Sequence, residues 1–113
     1  MKIAGATINQ IPMDWGGNTQ NILEALNDAH KQGVSLLCFP ELSICGYGCE
    51  DVFLSDWMWE KALKTLTDKI LPAAPKMAFT AGLPIKFEDK MYNCVAFCSE
   101  GEIQYIIPKQ NLA

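Results

Sequence analysis

The 113 residues suffice for one modest core and leave no room for a second domain, and a chain that is 50% apolar and 10% aromatic is not a disordered tail or linker. Nine lysines, no arginine and thirteen acidic residues give a net charge of -4; without the side chain that clamps phosphates in pairs and reads guanine edges, no nucleic-acid partner is expected. Apolar runs such as Leu36–Pro40 are far shorter than the roughly 20 residues that cross a bilayer, and the N-terminal segment shows no secretory pattern, so a cytoplasmic protein without membrane partners is expected.

Lys2–Gln10 alternates and reads as a first strand, which Gly16 and Gly17 break. Asn18 then serves as an N-cap for an amphipathic helix carrying Ile22, Leu23, Leu26, Ala29 and His30, with Gly33 as its stop. Val34–Phe39 is short and almost wholly apolar, the mark of a strand buried in a parallel sheet, and Pro40 ends it. Residues 41–51 lack periodicity and form a loop at the carboxyl end of that strand, where function concentrates in α/β sheets. Ser55 or Asp56 caps a second helix, with a core stripe of Trp59, Leu63, Leu66 and Ile70 and a stop at Pro72; Trp57 and Met58 fall off the stripe and are candidates for contact with another chain or domain. Met77–Leu83 is a third strand, and Met91–Cys98 and Glu102–Ile107 form a hairpin about Ser99, Glu100 and Gly101. The expected class is α/β. Its sheet is written as apolar on both sides: Ile3, Val34, Leu36, Ala78, Val95 and Phe97 exceed what two helices can cover.

Five cysteines, an odd number, fit reduced thiols better than a disulfide framework. Cys94 and Cys98 have zinc-like spacing, but four strand residues separate them by roughly 13 Å, too far for two ligands of one zinc; Cys45 and Cys49 have no accompanying histidine, so no metal site is assigned. His30, the single histidine, sits in a last helical turn facing solvent and is a poor candidate for a triad. Glu41 follows a buried strand and a proline, where apolar walls would suit a carboxylate to proton transfer. Lys109 follows Ile106, Ile107 and Pro108 and could offer positive charge to an oxyanion, while Tyr47, between two glycines, could stack on a ligand or donate a hydrogen bond to it. Each of the three has an ordinary structural reading when taken alone.

Together, F-P-E-L-S-I-C-G-Y-G-C-E-D-V-F-L at Phe39–Leu54, A-G-L-P at Ala81–Pro84, the Asn93 strand and P-K-Q-N-L at Pro108–Leu112 resemble the amidase domains of glutamine-dependent NAD+ synthetases, a branch of the nitrilase superfamily. The resemblance covers the whole chain. It implies the N-terminal half of a nitrilase-like αββα sandwich, a partial carbon-nitrogen hydrolase (glutaminase) domain over residues 1–113 that is incomplete at its C-terminal end. It implies Glu41 as general base, Lys109 as stabiliser of the tetrahedral intermediate, and Tyr47 in the glutamine pocket. The nucleophilic cysteine of the pattern lies well beyond the lysine, and none of the five cysteines occupies its place. The amide step needs no metal or organic cofactor; ATP and magnesium belong to the absent synthetase domain. Glutamine, the remainder of the same protein and further copies of it are the implied partners. The rival readings are a stand-alone nitrilase-type amidase or carbamoyl hydrolase, and a non-catalytic interaction module.

Overall fold

The computed structural model describes residues 1–46 and 55–109. In chain order the elements are β1 (Ile3–Gly5), α1 (Trp15–Lys31), β2 (Leu36–Cys38), α2 (Asp56–Thr65), a π-helical turn (Leu66–Ile70), α3 (Leu71–Ala73), β3 (Ala78–Phe87), β4 (Lys90–Ser99) and β5 (Glu102–Pro108). The strands form one sheet in the order of the sequence; β1, β2 and β3 are parallel, whereas β3–β4 and β4–β5 pair antiparallel. Successive right-handed crossovers stepping the same way along a sheet place their helices on the same face. Accordingly one core holds Ile22, Leu26 and Ala29 of α1, Ala62, Leu66 and Ile70 of the second helical stretch, and Leu37, Phe79, Ala81, Leu83, Ala96 and Cys98 of the sheet. Burying each large aliphatic or aromatic side chain contributes about 1.5–3 kcal/mol, so this single layer carries the fold.

The other face is open. Register aligns Gly5, Cys38, Thr80, Phe97 and Tyr105 in one row, with Ile3, Leu36 and Ala78 on one side of it and Gly82, Val95 and Ile107 on the other. Ile3 is 61%, Ile107 56% and Tyr105 67% exposed, and Val95 is exposed too. Val34, expected among these, instead packs into the helix-side core, because the turn after Gly33 folds it back under α1.

Several local expectations are corrected. β1 is shorter than Lys2–Gln10: pairing stops after the Ala6 N–H donates to the Cys38 carbonyl (2.9 Å), since Pro40 has no N–H to continue the ladder. Asn18 is not the cap of α1. Asp14 is, its Oδ1 accepting from the Gly17 N–H (3.1 Å), so both glycines lie inside the first turn; Gly33 does end the helix, at φ 77°. In α2, capped at Ser55, the buried stripe is Met58, Ala62, Leu66 and Ile70, and Trp59 and Leu63 are half-buried. Met58 is thus a core residue, fully buried with Leu42 and Cys45, whereas Trp57 is 53% exposed as expected. The strict spacing of four stays on one side because the π turn is wider than an α turn. That turn also answers Pro72, whose ring would meet the carbonyl four residues back: the Leu71 N–H bonds to Leu66, five back, and the helix runs on through Ala73. The Glu100–Gly101 hairpin forms as read, and β3–β4 has a second two-residue turn, Glu88 (φ 48°) and Asp89 (φ 65°), which no glycine announces.

Candidate active site

Beyond β2 the Phe39 N–H still donates to Thr80 (3.2 Å), after which Pro40 ends the pairing and residues 41–45 turn sharply, with Leu42 in the left-handed region at φ 50°. β3 holds this turn at Gly82, whose carbonyl accepts from the Ile44 N–H (3.3 Å) and whose N–H donates to the Oγ of buried Ser43 (3.1 Å). A Cβ on Gly82 would lie 2.4 Å from the Leu42 nitrogen and 3.1 Å from the Glu41 carbonyl carbon, so only glycine lets the turn sit this close. From the other side, Asn18, 1% exposed, accepts from the Ile11 N–H (2.9 Å) and donates to the carbonyls of Ile11 (2.8 Å) and Ile44 (3.2 Å). Gln10 adds bonds from its Nε2 to the carbonyls of Ser43 (2.6 Å) and Asn18 (3.1 Å).

The turn so held presents Glu41. Its Oε1 accepts from the Lys109 Nζ (2.5 Å) and from the Asn93 Nδ2 (2.7 Å), and among the described residues no bond ends on Oε2. Glu41 and Lys109 are 68 positions apart in the chain and come together because each follows the carboxyl end of a strand, β2 and β5. Lys109 is carried there by β4, its N–H donating to the Asn93 carbonyl (2.8 Å). The surroundings differ from those expected for Glu41: its side chain is 32% exposed, and two polar donors rather than apolar walls meet the carboxylate. Tyr47 and Cys49 lie outside the described residues. By alternation Asn93 belongs to the open face and Cys94 to the helix face, where burial pushes the Cys94 thiol up and that of Cys98 up to about 11. Cys45 is buried, its Sγ 3.6 Å from the Gly46 carbonyl. Cys94 and Cys98 are therefore packed thiols, not activated ones. No group of three or more His, Cys, Asp or Glu side chains among the described residues could hold a metal ion. Asn93, Gly82 and Asn18 were missed as site-builders; the available signals were a lone amide within a β-rich run and a glycine within a strand.

Residues 2–109 match the carbon-nitrogen hydrolase family. The chain belongs to that family. Its carbon-nitrogen hydrolase relatives include the glutamine-dependent NAD(+) synthetases of Dictyostelium discoideum, 36% identical over 98% of this chain, and Oryza sativa subsp. indica, 33% identical over all of it. The chain spans 16% of the length of each. A solved glutamine-dependent NAD(+) synthetase from Cytophaga hutchinsonii superimposes with a TM-score of 0.93 at 41% identity, over 98% of this chain and 19% of that one. An amidase of the nitrilase superfamily from Nesterenkonia superimposes at 0.84 with 25% identity, over 100% of this chain and 44% of that one. The nitrilase-type α/β fold expected from the resemblance is therefore the fold found.

Proposed function

We propose that the protein carrying this chain hydrolyses the side-chain amide of glutamine and passes the ammonia to an ATP-dependent amidation of deamido-NAD+. The observation that supports the reading is the convergence of Glu41 and Lys109, held by Asn93 on the open face of the sheet, in a family relative of glutamine-dependent NAD(+) synthetases. In this reading a cysteine from beyond these 113 residues faces the site. Its thiol proton passes to Glu41 as sulfur bonds to the amide carbon, and the Lys109 ammonium stabilises the negative oxygen that forms. The carbon–nitrogen bond breaks as Glu41 returns the proton to nitrogen, releasing ammonia. Glu41 then deprotonates water, which attacks the thioester and frees glutamate and the thiol. In this reading Tyr47 is assigned to glutamine binding by its place in the motif. The amide step uses no metal or organic cofactor, and ATP and magnesium serve the amidation carried out elsewhere in the protein.

The stand-alone amidase reading is weaker, since the Nesterenkonia enzyme is less similar in sequence and fold than the Cytophaga synthetase. A cytoplasmic location is supported by the unbridged thiols of Cys38, Cys94 and Cys98, and a homo-oligomer by the open apolar face. Glutamine-dependent ammonia release by the full-length protein tests the proposal. Glu41→Gln and Lys109→Ala should each lower the rate on the order of 10² to 10⁴, while synthesis supported by added ammonia persists. Full glutaminase activity in either variant would refute the roles. The 113-residue chain alone should release none above background; release would return Cys45 or Cys49 to consideration as nucleophile.

A further inference from the structure

We infer that Asn93 is the positioning residue of this site, setting the orientation of Glu41 through its side chain and the placement of Lys109 through its main chain. The inference rests on the functional reading above. Two hydrogen bonds carry it: the Nδ2 donates to Glu41 Oε1 at 2.7 Å, and the Asn93 carbonyl accepts from the Lys109 N–H at 2.8 Å. Both groups that would act on the amide are thus tied to one residue in the middle of a ten-residue strand, whereas Glu41 stands on a turn and Lys109 follows the end of an exposed edge strand. A carboxylate that meets only a lysine can rotate about it, because an ammonium is a point charge without directional demand. The amide of Asn93 supplies direction. With both donors on Oε1, the carboxylate plane is set and Oε2 is turned to receive the proton of a nucleophile. An amide is also the group that donates here without a charge of its own, so it leaves the Glu41–Lys109 balance intact.

Two variants of the full-length protein test this by glutamine-dependent ammonia release, with ammonia-supported synthesis as the control for folding. Asn93→Ala removes the donor and should lower kcat about 10- to 100-fold while KM for glutamine stays within about threefold. Asn93→Asp keeps the shape and the main-chain bond but places a second carboxylate beside Glu41, facing it together with the Lys109 ammonium, the charged group that Glu41 contacts among the described residues. When both carboxylates are ionised the donor is lost; when the pair shares one proton, donation returns. The ratio of Asn93→Asp to wild-type rates should therefore rise as pH falls from about 8 to about 5.5. A residue that only fills space would leave that ratio flat. Wild-type kcat in both variants, or loss of glutamine- and ammonia-supported activity together with a flat ratio, would overturn the inference. Ammonia release indifferent to Asn93 overturns this inference alone; no release by the unaltered protein overturns the functional reading and this inference with it.

Discussion

Gly82→Ala adds one methyl group at the contact between β3 and the turn that presents Glu41. The added Cβ would stand 2.4 Å from the Leu42 nitrogen and 3.1 Å from both the Glu41 carbonyl carbon and the Pro40 oxygen. All three are main-chain atoms, so no side-chain rotation relieves the overlap, and restoring an ordinary contact of about 3.4 Å moves the turn by roughly 1 Å. That movement stretches the Ser43 Oγ bond to the Gly82 N–H and the Ile44 bond to its carbonyl. Overpacking of this kind costs about 1–3 kcal/mol, and each weakened buried bond adds about 1 kcal/mol. A base displaced by 1 Å loses about 10²-fold in rate. The expected result for the full-length protein is therefore a lower midpoint in chemical denaturation and about a hundredfold loss of glutamine-dependent ammonia release, with ammonia-supported synthesis retained. The matched control is Gly16→Ala, an exposed position in the first turn of α1 with nothing within 4 Å of the added Cβ; it should stabilise by up to about 1 kcal/mol. Wild-type stability and activity in Gly82→Ala would refute the close-approach argument.

Asn18→Leu should destabilise by about 1–3 kcal/mol in denaturant titrations, because it leaves the part-buried Ile11 N–H and the buried Ile44 carbonyl without this partner, while the Ile11 carbonyl keeps the Asp14 N–H; a loss under about 1 kcal/mol would show that water replaces the side chain. Cys98 has its thiol raised from 9.0 to about 11 by burial, so the unfolded chain gives up this proton first and stability should fall as pH rises from about 9 to about 11, by at most about 3 kcal/mol. Cys98→Ala should flatten that decline, and an unchanged slope would contradict the assignment. The 113-residue chain alone should associate in a concentration-dependent way in sedimentation experiments, since a few hundred Å² of open apolar sheet at about 25 cal/mol per Å² amounts to several kcal/mol. A cooperative, well-folded monomer would sink that expectation.

Local chemistry made much of this chain legible in its sequence. Gly33 and Gly101 occupy left-handed positions that other residues enter at a cost, and Pro40 ends β2 because it lacks a donor; such constraints act wherever the residue is placed. Glu41, Lys109 and Tyr47 stood out through motif spacing, and two of the three lie within the described residues and meet. What the sequence left open was phase and partnership. Asn18 has the chemistry of a helix cap, but Asp14 took that role, and the amide went to a buried brace that exists only once residues 11 and 44 are adjacent. Met58 rather than Trp59 faces the core because the π turn at Leu66–Ile70 sets the rotation of the whole stretch. Glu88 and Asp89 turn a hairpin without glycine because the long β3–β4 ladder holds them there. The meeting of Glu41, Asn93 and Lys109 depends on the register of four strands, β2 to β5, and register is settled by which side chains the helices bury together, a property that no local stretch of sequence contains.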